Sequence, residues 1–136
     1  MLRTVIVRVR WLQPAKSHMA DYSNTPLASG LFWRWKNHEA HKLSLHKAAA
    51  AFAPDISVCH DRVARWVAVY PQDIAVRGWL ATPTCGGVHF ARHSVVRTAE
   101  GLTDITLLDG RTERVFLACD EGWAEGIDYD IYVEGY

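Results

Sequence analysis

The sequence lacks a long hydrophobic run. None of its apolar stretches approaches the roughly 18 residues that a membrane-spanning helix needs. The N-terminal segment 1–12 is interrupted by arginines at positions 3, 8 and 10, and no small-residue cleavage site follows it. A signal peptide is therefore not predicted. We expect a cytoplasmic protein that makes no use of a membrane.

The sequence also lacks net charge. Its 136 residues include 15 basic and 15 acidic side chains, which cancel. A chain without a net field has no long-range attraction for nucleic acid or for an anionic membrane surface. We therefore expect neither as a partner.

Cysteine is scarce, with three residues in the chain. An odd number in a reducing compartment indicates free thiols rather than a disulfide framework. Each thiol is then either buried and inert or poised to react. His38 and His41 would share a face of a predicted helix, but a zinc site would require a further ligand from elsewhere. We therefore expect no metal and no cofactor.

The order of the predicted elements indicates an α+β fold, with N-terminal helices packed on an antiparallel β-sheet. Alternating residues predict a strand over 2–12, and proline, serine and glycine predict a loop over 13–31. Helix-forming residues predict a helix over 37–52, and an apolar stripe predicts another over 58–69. Strands separated by short turns are predicted over 74–81, 88–98, 102–108, 113–119 and 129–134. No linker divides the chain, so residues 1–136 are predicted to form one domain.

Cys59 lies in the first turn of the second predicted helix, where Asp55 and Ser57 are candidate N-caps. Unpaired backbone N–H groups and the helix dipole favour the thiolate there, and the thiolate is the nucleophile. The competing interpretation is a buried core thiol, because Cys59 also begins the apolar stripe. Cys119 ends a strand and is predicted to be a core thiol. Cys85 lies in a flexible turn and is the competing nucleophile.

His93 and Asp104 are the candidate base and its orienting acceptor. They lie on two predicted strands joined by a hairpin turn, and neighbouring residues of a strand face opposite sides. A loop with an even number of residues puts both side chains on one face, whereas a three-residue loop separates them. Two-residue loops are the commonest, which favours the shared face.

Three further side chains are candidates for substrate binding. Trp66 and Trp79 would line a cleft, although a core role is the commoner one for tryptophan. His60 follows the candidate nucleophile and would either tune the thiol or be exposed to solvent.

The order of Cys59, His93 and Asp104 resembles that of the papain-like superfamily, and within it the transglutaminase-like and NlpC-like branches. A closer likeness covers about residues 57–118 and is to small bacterial and phage proteins that share a set of short motifs. In this chain those motifs are Cys59, Gly78-Trp79, His93-Ser-Val-Val96, Gly101-Leu-Thr-Asp104-Ile-Thr106 and Phe116-Leu117. The resemblance implies a papain-like fold and a catalytic Cys-His-Asp triad. It implies no particular substrate.

The triad predicts cysteine-dependent acyl chemistry on an amide or ester bond of a protein or peptide. Cys59 would attack the carbonyl, His93 would take and return the proton, and Asp104 would fix the imidazole tautomer. Peptidase, amidase, deamidase and acyl-transfer activities remain open, because the triad does not choose the acceptor. One alternative is a non-catalytic protein- or peptide-binding module with Cys59 as a core thiol. Another is a phage or effector protein that acts by occluding a host protein.

Overall fold

The computed structural model describes residues 6–11, 19–21, 26–53, 55–56, 58–106, 114–120 and 129–134. Its helices and strands are, in chain order, β1 (Ile6–Trp11), β2 (Met19–Asp21), α1 (Pro26–Lys36), β3 (His41–Leu45), a 3₁₀ turn (Ala49–Ala51), α2 (Cys59–Val69), β4 (Ile74–Thr84), β5 (Gly87–Thr98), β6 (Gly101–Asp104), β7 (Arg114–Ala118) and β8 (Tyr129–Glu134).

Five of the strands close into a barrel. β5 pairs with β4, β4 with β7, β7 with β3, β3 with β6, and β6 again with β5. Only the β3–β6 pairing in this ring is parallel. Outside the ring, β8 pairs with the first part of β5, and β1 and β2 extend the sheet from β8. The described part of the chain is therefore mostly β.

This architecture shows that the predicted α+β fold is wrong. The described N-terminal part contains one helix together with strands, rather than a layer of helices. The helices α1 and α2 flank a closed barrel and do not pack on an open sheet in the papain-like manner. The reason is non-local, because the barrel closes only when β3 inserts between β6 and β7. The papain-like fold that the resemblance implied is therefore wrong as well.

The helix predicted over 37–52 is wrong as well. This segment holds the strand β3 and the short 3₁₀ turn. In β3 only Leu43 is buried, and the residues on either side of it are exposed. Alanine, leucine and lysine favour a helix locally, but pairing with two distant strands overrides that propensity. His38, with φ of 60°, and His41, in β3, therefore do not share a helical face.

The loop predicted over 13–31 is wrong in two places, because it contains the short strand β2 and because the helix α1 begins at Pro26; residues 13–18 and 22–25 lie outside the described residues. Proline suits the first helical position, where its missing N–H costs nothing. Ala28, Leu31 and Phe32 follow at helical spacing and are buried. Gly30 and the serine before it hid this pattern in the sequence.

The remaining elements match their predictions closely. The helix predicted over 58–69 is α2. The predicted strands correspond to β1, β4, β5, β6, β7 and β8, with β8 matching at both ends. The strand predicted over 102–108 is too long, because β6 ends at Asp104 and residues 105 and 106 are not in a strand. Positions 2–5, 12, 107, 108 and 113 of the predicted strands lie outside the described residues.

Apolar side chains pack on both sides of the barrel wall. Leu43, Leu80, Val95 and Phe116 come from four barrel strands and form one buried cluster, so they fill the interior. On the outer side, α1 covers a cluster that includes Trp79, and α2 covers a second cluster. Val95 of β5 therefore faces inward, whereas Phe90 and Val96 of the same strand face outward.

Candidate active site

Cys59 begins the helix α2, as predicted. Its N-cap is Val58, which makes no side-chain capping hydrogen bond, so the predicted caps Asp55 and Ser57 are wrong; Ser57 itself lies outside the described residues. Amides of the first turn are therefore left for other acceptors. One of them, the N–H of His60, donates to the sulfur of Cys59. The start of the helix thus stabilises negative charge on a half-buried thiol.

The β5–β6 hairpin confirms the even-numbered loop. Thr98 pairs with Gly101, so the loop consists of the two residues Ala99 and Glu100. This register puts His93 and Asp104 on the same face of the sheet, two residues away from being directly opposite each other.

The side chains of His93 and Asp104 form a buried pair. Nε2 of His93 lies 3.0 Å from Oδ1 of Asp104, and the two residues are 3% and 2% exposed. The N–H of Thr106 donates to the same carboxylate oxygen at 3.0 Å, which helps to hold the carboxylate in place. Since Asp104 occupies Nε2, the other ring nitrogen of His93 is left for the thiol.

Cys59 lies next to His93 at one edge of β5, where the neighbouring strand changes from β8 to β6. β8 pairs with residues 87–90 of this edge, and β6 pairs with residues 96–98. The two-residue loop makes Thr98 and Gly101 a hydrogen-bonded pair, so the N–H of Ser94 also points toward this edge. Between the two described partner strands, that N–H donates to the sulfur of Cys59. Helix α2 therefore begins beside the part of β5 that lies between its two described partner strands, β8 and β6.

The pKa values of Cys59 and His93 are shifted in opposite directions. Burial raises the pKa of the Cys59 thiol, but the hydrogen bond and charge of His93 and the N–H groups of Ser94 and His60 bring it below its ordinary value of 9.0. Burial alone would lower the pKa of His93. Hydrogen bonds to Asp104 and Cys59, together with the charges of both, instead raise it from 6.5 to about 9. The thiolate of Cys59 and the imidazolium of His93 therefore stabilise each other.

Gly78 makes room beside His93. It lies directly opposite His93 in the β4–β5 register. A Cβ atom at this position would lie 2.1 Å from the carbonyl oxygen of Leu117 and 2.5 Å from Cζ of Phe116. The Phe116 ring meets the His93 ring edge-on, with centroids 6.5 Å apart. Only glycine lets this aromatic contact form at such close range.

The two candidate tryptophans are core residues in the structure. Trp79 is 0% exposed and packs in the cluster under α1. Trp66 is 2% exposed, packs against Val63, and donates its indole N–H to Asp73 at 2.9 Å. This burial favours the core interpretation over a lining role in a cleft. His60 is half-buried, and its backbone N–H is bonded to the thiol.

The other thiols lie in different surroundings. Cys85 is exposed at the β4–β5 turn. Cys119 is partly buried and packs against the cluster under α1. Of the three cysteines, Cys59 is the one that the structure places beside His93.

The sequence reasoning missed Arg62, which is 3% exposed. Its guanidinium donates to the carbonyl oxygens of Ala49, Ala53, Ile56 and Ile105. A charged residue inside an apolar stripe was the available signal, because arginine is rarely buried without partners.

In the described part of the chain, no three histidine, cysteine, aspartate or glutamate side chains lie close enough to hold a metal ion. His46, which lies in the segment 37–52 that was predicted to be a helix, instead packs edge-on against Trp66 and accepts the N–H of Ala48 at 3.0 Å.

The described helices are too short or too polar to cross a membrane. Comparisons of the chain with family models, with curated proteins and with solved structures find no match.

Proposed function

We propose that the protein is a cysteine-dependent hydrolase or acyltransferase that acts on an amide or ester bond through an acyl-enzyme on Cys59. The observation that carries this proposal is the contact of a helix-terminal thiol with a histidine whose other ring nitrogen is bonded to a buried carboxylate. This arrangement is the one that nucleophilic acyl transfer requires, with a nucleophile, a base and a group that orients the base.

The first half of the reaction uses the charged form of the pair. The Cys59 thiolate attacks the carbonyl carbon and forms a tetrahedral intermediate. Amide groups at the start of α2 would stabilise the oxyanion. The His93 imidazolium then donates a proton to the leaving amine or alcohol, the carbon–leaving group bond breaks, and the acyl group remains on the sulfur.

The second half regenerates the thiolate. Neutral His93 takes a proton from the incoming acceptor, which attacks the thioester carbonyl. The bond to sulfur breaks, and the proton stays on His93. Water as the acceptor makes the reaction a hydrolysis, and an amine makes it a transfer. Asp104 holds the ring orientation throughout. We propose a protein or peptide as the substrate, and a cytoplasmic setting that keeps the thiol reduced.

The reactivity of Cys59 provides the test. The native protein is treated with iodoacetamide from about pH 5 to about pH 9, and the rate at each cysteine is mapped by mass spectrometry. We expect Cys59 to react rapidly already at about pH 6. His93→Ala should slow it there by about a hundredfold, because the group that stabilises the thiolate is removed.

Cys85 is the internal control, because it is exposed and should react equally in both proteins. An activated ester such as p-nitrophenyl acetate then tests for the acyl-enzyme, which should appear on Cys59 alone. Labelling of Cys59 only after denaturation, or acylation of Cys85 instead, would contradict the proposal.

A further inference from the structure

A buried guanidinium lies next to the candidate site. Nε of Arg62 donates to Ile105 O at 3.1 Å, and Nη2 donates to Ile105 O and to Ala49 O, both at 2.9 Å. Nη1 donates to Ala53 O at 2.8 Å and to Ile56 O at 3.0 Å. These bonds account for all five N–H donors of an arginine side chain. The buried charge is thus stabilised by backbone carbonyl dipoles, and every N–H group of the guanidinium has a hydrogen-bond acceptor.

The four carbonyl groups come from two places that flank the site. Ile105 directly follows Asp104, the partner of His93. The other three belong to the segment between β3 and α2, which leads to the nucleophile. Arg62 itself lies on α2, three residues after Cys59 and on the same helical face. One side chain therefore joins the helix that carries the thiol to the strand that carries the carboxylate.

The segment that Arg62 binds is strained at Ala53. Its φ of 38° is positive, a conformation that residues with a side chain rarely adopt. Its carbonyl oxygen accepts two hydrogen bonds, from the N–H of Ile56 at 2.9 Å and from Arg62 at 2.8 Å. Such a residue persists only where its surroundings hold it in place.

We propose that Arg62 is a positioning residue of the active site, which fixes Cys59 against His93 and Asp104 by binding the backbone on both sides. This inference rests on the proposed function. All five N–H donors of Arg62 bind backbone carbonyl groups, so the role assigned to it is to position the backbone and not to contact the thiol. It acts by holding the start of α2 beside the part of β5 that carries His93.

The planar fork of the guanidinium is essential to this role. A lysine at this position would keep the charge, but its single ammonium group cannot reach carbonyls that lie on two sides of the side chain. Arg62→Lys should therefore loosen the helix start without removing any of Cys59, His93 and Asp104. Arg65→Lys is the matched control, because Arg65 is exposed on the same helix.

The test compares the pH profile of Cys59 alkylation in these variants, with folding checked by circular dichroism. We expect Arg62→Lys to slow alkylation at about pH 6 by about tenfold and to move the midpoint of the profile upward, while Arg65→Lys leaves both unchanged. A purely structural role would lower the melting temperature and leave the profile of the folded protein unchanged, which would overturn the proposal.

Ala53→Gly keeps the test decisive if Arg62→Lys alone does not fold. Glycine accepts a positive φ without strain, so the double variant should regain stability. Its Cys59 should still be alkylated slowly, because no guanidinium holds the start of α2 in place. Fast alkylation in the double variant would overturn the role of Arg62. If Cys59 of the unmodified protein does not react selectively, the proposed function itself fails, which is a separate outcome.

Discussion

Two histidines of strand β5 each contact an aspartate of a neighbouring strand, and the two pairs differ in their surroundings. His93 and Asp104 lie 3.0 Å apart, with side chains 4% and 3% exposed. His89 and Asp130 lie closer, at 2.7 Å, but their side chains are 37% and 15% exposed. Both histidines face the same side of the strand, because they are four positions apart. The shorter contact is therefore the one that solvent reaches.

The difference shows that distance alone does not make a catalytic pair. Solvent weakens the interaction between His89 and Asp130, and an exposed pair of this kind contributes little. The pair of His93 and Asp104 is shielded from solvent and also meets a thiol at the end of a helix. Burial strengthens each of these interactions, since the effective dielectric constant is lower.

The largest effect should come from changing the residues that face the two histidines across β4. Gly78 lies opposite His93 and Thr82 lies opposite His89. We expect Gly78→Ala to lower the free energy of unfolding by about 3 kcal/mol, because its Cβ meets backbone and a buried ring. Thr82→Ala, at an exposed position, should change it by less than about 0.5 kcal/mol. Urea denaturation of both variants measures the contrast, and equal losses would contradict it.

A smaller effect should follow from neutralising each aspartate. Asp104→Asn keeps the shape of the side chain but removes the charge and hydrogen bond that raise the pKa of His93. We expect Cys59 alkylation at about pH 6 to slow by about tenfold. Asp130→Asn should leave that rate unchanged. If both variants slowed the reaction alike, the distinction between the two pairs would be lost.

The smallest effect concerns the pH dependence of stability. His93 has its pKa raised above 6.5, so its contribution is full below pH 6.5 and is lost as the pH rises toward about 9. The pKa of Cys59 is lowered, so its contribution is lost in the opposite direction, as the pH falls. In the unmodified protein the two slopes oppose each other.

Removing the thiol should expose the slope of His93. We expect the free energy of unfolding of Cys59→Ala to fall by about 1 kcal/mol between about pH 6.5 and about pH 9. The unmodified protein and Cys85→Ala should show no such added slope. Chemical denaturation at several pH values measures it, and a Cys59→Ala profile parallel to the unmodified one would argue against an ion pair.

The elements that bring the site together could be predicted because their signals are local. The hairpin between His93 and Asp104 depends on a loop of two residues, and its parity determines the shared face. The start of α2 follows from the apolar stripe after Cys59. Neither prediction needed any knowledge of the rest of the fold.

The rest of the fold depends on contacts that are distant in sequence. β3 looked helical because its pairing with β6 joins Ser44 to Thr103, a relation that no short window contains. Arg62 was missed for a similar reason, since Ile105, one of its partners, is 43 positions away. Closure of the barrel and anchoring of the helix were thus both hidden from sequence patterns.

The parallel pairing of β3 with β6 also bears on the order in which the protein folds. It joins residues 59 positions apart, whereas His93 and Asp104 are separated by 11. Closing a longer loop costs more entropy, and contacts of large separation form slowly. We expect the hairpin with its histidine and aspartate to form early, and the thiol to join it when α2 docks. A nascent or partly unfolded chain then carries an unactivated thiol, so reactivity arises only once the molecule is native.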